Sequence, residues 1–169
     1  MRTGIIWFRN ALRLNDNRVL VECLNSTNSQ TILPLYMLDK NDLEENNNEN
    51  RIKFLYESLI DLDANFKTKF SSNLIVLNGK SKEIFQKLLG SDLLEISEIF
   101  TDYSNKPDDI ENENSLKRIL AKNTSAKLHL ISKVNSLTNI EEVVNQKNFK
   151  PPKTMKDMEK LFSNLFPKD

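Results

Sequence analysis

Few residues in this sequence are typed and spaced for chemistry, and most of them belong to one edge. Arg9 follows the apolar run TGIIWF (3–8), and Asp39 follows TILPLYML (31–38). Tyr103 and Ser104 stand at the end of EIFTDY (98–103), and Arg51 opens a long helical pattern that could lean over the same place. If the runs are strands of an open α/β sheet, these groups gather at the carboxyl ends, where such sheets bind ligands. Arg9 and Asp39 would end neighbouring strands, which predicts that they pair. Two readings of that pair stay open: a structural contact at the rim, or a set of ligand contacts.

Other chemistries are excluded by count. Three glycines cannot supply a dinucleotide fingerprint or a phosphate loop after the first strand, and no G-x-S-x-G elbow is present. One cysteine, Cys23, and one histidine, His129, cannot build a conventional His/Cys metal cluster or an intrachain disulfide. Cys23 lies among Leu20, Val21 and Leu24 and reads as a small buried hydrophobe. His129, inside AKLHLI, reads as structural. The acid pairs Asp61/Asp63 and Asp108/Asp109 fall on helix surfaces or caps and read as solvated. With 24 basic and 24 acidic side chains, no net field draws the protein to nucleic acid or anionic membrane. The chain opens on an apolar strand, with no signal-type segment and no run of ~20 apolar residues, so a cytoplasmic or nuclear location is expected.

The elements that position these groups alternate. Strand-like runs at 3–8, 31–38, 73–77, 98–103 and 127–132 are nearly continuous in apolar residues, as in parallel strands covered on both faces. Pro34 lacks an N–H, so it marks a bulge or a stretch where one side of its strand is unpaired. Asp16 or Asn17 can cap a helix carrying Val19, Leu20, Cys23 and Leu24. Residues 50–70 place Ile52, Leu55, Tyr56, Leu59, Leu62 and Phe66 on one stripe. SKEIFQKLLG predicts a helix capped by its serine and stopped at Gly90. The helix opened by Pro107 has a sparse apolar side and is expected at the surface. KNDLEENNNEN (40–50) is a polar loop. The order β-α-β-α-β-α-β-α-β predicts a Rossmann-like, doubly wound, five-stranded parallel sheet with flanking helices over 1–133. Residues 134–169 form a connector: a short helix, an extended Pro-Pro segment and a helix capped by Thr154.

The opening now carries a resemblance. Trp7-Phe8-Arg9, Leu12-Arg13, Asp16-Asn17 and Leu20 resemble the W-F-R-x-x-L-R-x-x-D-N-x-x-L opening of the photolyase/cryptochrome family. LPLYMLD resembles its second strand, residues 51–89 its long helix, third strand and following turn, and KPPKTMKDM the PP-x-T stretch that leads out of its α/β domain. These features lie closest to the animal cryptochrome and (6-4) photolyase type. The sequence departs from the pattern at Lys106-Pro107, Asp108, Glu111-Asn112-Glu113 and Asn148-Phe149.

The resemblance implies an α/β domain without the helical domain that holds FAD in the family. FAD is therefore not expected on this chain. With Trp7 as the sole tryptophan, neither is a tryptophan electron-transfer chain. An antenna chromophore (deazaflavin, FMN or folate) in the crevice of Arg9, Asp39, Arg51, Tyr103 and Ser104 is the expected ligand. A protein partner is expected at the surface where the helical domain would dock, in a blue-light, circadian or DNA-photorepair setting. DNA binding and photolyase catalysis are not expected of the chain alone. The rival expectations are a split protein completed in trans, and a decayed fragment.

Overall fold

A computed structural model describes residues 2–26, 28–39, 48–123, 125–134, 143–145 and 149–163. The strand β1 (Arg2–Phe8) is buried from Thr3 onward because it lies at the centre of the sheet and is covered on both faces. Successive side chains of a strand point to opposite faces. Ile6 and Phe8 enter one core with Val19, Leu20 and Cys23 of α1 (Arg18–Asn25) and Leu59, Leu62 and Phe66 of α2 (Glu49–Phe70). Ile5 and Trp7 enter the other with Phe85 of α3 (Ser81–Leu89) and Leu116 and Leu120 of α4 (Pro107–Asn123). Trp7 meets Phe85 edge-on at 5.0 Å.

The remaining strands are β2 (Thr31–Leu38), β3 (Ile75–Asn78), β4 (Glu95–Asp102) and β5 (Lys127–Ile131). All pairings are parallel, in the order β3-β2-β1-β4-β5. The chain winds outward from β1 through β2 to β3, then crosses back and winds the other way through β4 to β5. The topological switch point therefore lies between β1 and β4. This is the doubly wound sheet that the sequence predicts.

Pro34 is explained by register. It stands opposite Ile6 of β1, whereas pairing with β3 begins only at Leu35, opposite Ile75. The missing N–H falls where β2 has no neighbour on that side. At the other end of β1 a register shift between Thr3 and Gly4 marks an irregularity against β4. A Cβ on Gly4 would lie 2.7 Å from the Ser29 hydroxyl, so a larger residue there would force Ser29 to move.

Helix ends follow local chemistry. Asn17, rather than Asp16, caps α1 by accepting from the Val19 and Leu20 N–H groups, and Asp16 takes a left-handed φ of 51° beside it. Asn48 caps α2 in the same way. The expected loop over 40–50 therefore gives way to a cap at 48 and helix at 49 and 50; residues 40–47 lie outside the described residues. Three other expectations are adjusted. Ser81 does not cap α3: the cap position is Lys80, and Ser81 bonds Asn112 of α4 at 2.8 Å. The sparse apolar side of α4 buries more than expected: Glu113, Leu116 and Leu120 recur on one face and are buried, while most of the helix is exposed as a surface helix. The strand β3 is not covered on both faces, since it is the sheet edge and Ile75 and Val76 are exposed.

By contacts the chain forms two units, Met1–Val134 and Asn135–Asp169. In the second, α5 (Met155–Phe162) opens with a capping box between Thr154 and Asp157. The short helix expected after residue 133 falls largely outside the described residues. Among the described residues no helix is long and apolar enough to cross a membrane.

Candidate functional site

Two clusters of polar side chains are built into the sheet domain, one at each end of the strands. At the amino end, Glu98 of β4 is buried, and its carboxylate accepts from Ser26, from Asn28 at 3.2 Å and from Ser29 at 3.3 Å. His129 Nε2 lies 3.0 Å away, its ring stacked on Phe100 at 4.5 Å. Burial pushes the Glu98 carboxyl up, but the hydrogen bonds from Ser26 and Asn28, with the His129 interaction, hold it below its ordinary value. The order Ser–Glu–His puts the carboxylate between hydroxyl and imidazole. A nucleophilic triad needs the imidazole in the middle, so this cluster pins the α1–β2 connection to β4 and β5. Cys23 lies beneath it, its thiol pushed up to about 12 by burial and by the Glu98 charge. Such a thiol is inert.

At the carboxyl end the focus is Arg9. It continues the Ile5–Trp7 side of β1, the face that α4 covers. Its Nε donates to Asp102 Oδ1 at 3.4 Å, Nη1 to Glu113 at 2.9 Å, and Nη2 to the Asp102 carbonyl. Asp109 lies 3.9 Å from Nη1, and the guanidinium sits 5.0 Å from the Trp7 ring centroid. Its partners are thus Asp102, Glu113 and Asp109, not Asp39, which corrects the expected rim pair. The reason is topological: β1 has two neighbours, and the acids come from β4 and from the helix that follows it. With 7% of its side chain exposed, and 4% and 5% for Asp102 and Glu113, this is a buried charge cluster at the switch point.

Beside it opens a crevice of about 580 Å³ at the carboxyl ends of β1 and β2, under the first turns of α2. Arg9, Asp39 and Arg51 all line it; Tyr103 and Ser104 do not. The Tyr103 N–H extends the ladder to the Ile131 carbonyl, and the Ser104 hydroxyl donates to Asp109 at 2.5 Å. The crevice therefore divides the residues that sequence reasoning placed together. It also adds residues that reasoning missed. Tyr36 and Phe54 contribute aromatic surface, and Phe54 is 71% exposed at the mouth. Lys106 reaches across to Asn10 Oδ1 at 2.8 Å, and Asn10 Nδ2 in turn donates to Asp102 at 3.0 Å. One signal was available: Glu113, Leu116 and Leu120 share helical spacing, and a carboxylate on an apolar stripe calls for a buried cation.

The charges lining the crevice balance: Arg9, Arg51 and Lys106 against Asp39, Asp108 and Asp109. Arg9 is already held by its acids. What remains is a partly aromatic slot whose lining mixes polar and apolar side chains, of a volume that would take a flat ring system.

Comparison with known proteins gives the family and the fold. The DNA photolyase family model matches residues 4–167. The chain belongs to the DNA photolyase family. This photolyase-family chain is 31% identical over 166 residues to cryptochrome-1 of Spalax judaei, covering 97% of this chain and 27% of that protein. It is 36% identical over 95 residues to the blue-light photoreceptor PHR2 of Arabidopsis thaliana, covering 52% of this chain and 20% of that one. Among solved structures, the cryptochrome of Synechocystis sp. PCC6803 matches with a TM-score of 0.76 at 20% identity, over 97% of this chain and 34% of that one. An archaeal photolyase from Sulfolobus tokodaii, solved with two FAD molecules, matches with a TM-score of 0.64 at 22% identity, over 76% and 29%. These likenesses share the five-stranded parallel α/β fold. The chain spans about a quarter of the length of the curated relatives it matches.

Proposed function

We propose that the crevice at the ends of β1 and β2 binds a flat heteroaromatic chromophore of the flavin or deazaflavin type. This α/β domain then serves as a light-gathering module. The observation that carries the reading is the slot of about 580 Å³ with the exposed ring of Phe54 at its mouth, apolar area that a planar ligand would cover. The volume lies inside the range of small-molecule sites, roughly 300–1,000 Å³. The photolyase from Sulfolobus tokodaii, described as holding two FAD molecules with a novel light-harvesting cofactor implied, supports a second-flavin reading for this fold. When bound, such a group supplies absorption in the near-ultraviolet or blue. The chain's own residues orient it: Tyr36 and Phe54 through ring contacts, Lys106 through its ammonium. No DNA chemistry is assigned to the crevice.

The test is an absorption spectrum after gel filtration, with FMN, riboflavin, a deazaflavin and a folate each added beforehand. A retained flavin or deazaflavin band is expected. Phe54→Ala should weaken binding by about 2- to 12-fold, the equivalent of an aromatic pair worth ~0.5–1.5 kcal/mol. A bare protein spectrum with every ligand, or affinity indifferent to Phe54, would overturn the assignment.

A further inference from the structure

A second concavity, about 690 Å³, runs between α3 and α4 on the opposite face of the sheet from α2. Lys82, Arg118 and Lys122 line it, with Ser115 and the half-buried Leu89 and Ile119, and no carboxylate is among the lining residues. None of the three cations makes an ion pair or hydrogen bond among the described residues. The other helical face differs. Arg18, Lys53 and Lys67 each stand beside an acid four residues away.

The arrangement runs against local helix electrostatics. Arg118 and Lys122 are a like-charge pair at i,i+4, which is unfavourable in an isolated helix. The dipole at the end of α4 accounts for those two, but not for Lys82. Lys82 occupies the first turn of α3, the positive end, where a cation is disfavoured. An anion in the groove would relieve both conflicts.

We infer that this groove docks an acidic amphipathic helix of a protein partner. The Ser81–Asn112 hydrogen bond ties the start of α3 to α4, where Arg118 and Lys122 follow one turn apart on one face. One turn is the spacing of carboxylates at i and i+4 on a partner helix. Leu89 and Ile119 form a narrow apolar floor for that helix's own apolar stripe. A phosphate site would converge its donors on one point, whereas these three cations are exposed and spread along the groove. Nucleic acid fits less well, because the lining has no aromatic side chain and the chain as a whole is neutral.

The probe is a fluorescent helical peptide of about 16 residues. It carries a leucine stripe flanked by glutamates at i and i+4, beside a twin with glutamine in their place. Both are titrated into the full chain, with amide shifts followed by NMR and inorganic triphosphate as a separate arm. The acidic peptide should bind, shift amides of α3 and α4, and weaken several-fold between about 50 and 200 mM salt. The double variant Lys82→Glu/Arg118→Glu, with its fold checked by circular dichroism, should weaken it on the order of tenfold. Lys53→Glu, on α2, should leave it unchanged. The inference is overturned by equal binding of the glutamine twin or by shifts mapping elsewhere. Triphosphate binding without peptide binding, or self-association of the chain through this face, would overturn it too.

Discussion

Replacing Arg9 by methionine separates a buried structural charge from a ligand-facing one. Methionine keeps much of the aliphatic stem over Trp7 and deletes the guanidinium. Asp102 and Glu113, at 4% and 5% side-chain exposure, then lose their cation. Removing one partner of a buried ion pair costs about 3–5 kcal/mol, because the other charge stays buried and uncompensated. Asp102 keeps the Asn10 amide at 3.0 Å, which argues for the lower part of that range. Loss of the contact with Trp7 adds about 0.5–1 kcal/mol. The expected total is therefore about 3.5–4 kcal/mol. For a unit spanning Met1–Val134, the unfolding entropy is roughly 0.28 kcal/mol/K, so Tm should fall by about 12–14 °C.

Calorimetry and urea titration at neutral pH read this directly. Adding Glu113→Gln to Arg9→Met removes one stranded carboxylate and should recover part of the loss. The two substitutions thus couple, as contacting residues do. If Arg9 were instead a solvated rim group aimed at a ligand, its loss would cost about 0–1 kcal/mol, as for an exposed pair. A fall in Tm smaller than about 3 °C, or no recovery with Glu113→Gln, would refute the buried-cluster account.

Two further predictions concern the opposite end of the strands. Folding holds the Glu98 carboxyl below its ordinary value. Its contribution is therefore fully present above the unfolded pKa, about 4.3, and is lost as pH falls through the folded value. Glu98→Gln should cost roughly 1–3 kcal/mol at pH ~7, and the gap from the parent should narrow in urea titrations below pH ~4; parallel curves would contradict this. Cys23, pushed up to about 12, should be inert to a disulfide thiol reagent at pH ~8 in the native chain and react at once in denaturant. Prompt native reaction would show an open site at α1.

The sequence made the fold legible because the signals that build it are local. Apolar runs bounded by polar patterns give the strand order along the chain, and Asn17 and Thr154 announce their helices through side chains two or three residues from the N–H groups they bind. Even Pro34 carried its explanation, though only the register told which of two alternatives held. The site was less legible because its bonds are long-range. Arg9 meets Asp102 and Glu113 across 93 and 104 residues, and Ser26 meets Glu98 across 72. Nothing near Arg9 in sequence tells which neighbour of β1 will supply the acid. The strand order does, by putting β4 beside β1 and α4 above both. The added burial on α4 has the same root. Two leucines and a glutamate make a weak stripe by hydropathy, yet they bury well once the glutamate has Arg9 to meet.

The buried cluster also explains where a ligand can go. In an open α/β sheet the switch point is the natural crevice, but here the space between β1 and β4 is filled by Arg9, Asp102 and Glu113. The crevice opens instead toward β2 and α2, with Asp39 and Arg51 among its lining residues. Arg9 borders that space with its donors already committed, so it can shape the wall and cannot clamp an anion without abandoning a buried carboxylate. The Lys106 ammonium, held among the described residues by the amide oxygen of Asn10, can turn at far smaller cost. Discrimination among ligands should therefore follow Lys106 and the ring of Phe54. Arg9 should govern whether the domain stays folded. If Arg9→Met at low temperature, still folded, keeps its affinity for a flavin while Lys106→Glu and Phe54→Ala lose theirs, the two roles are separated as the geometry requires. If Arg9→Met alone abolishes binding in the folded state, the guanidinium belongs to the ligand after all.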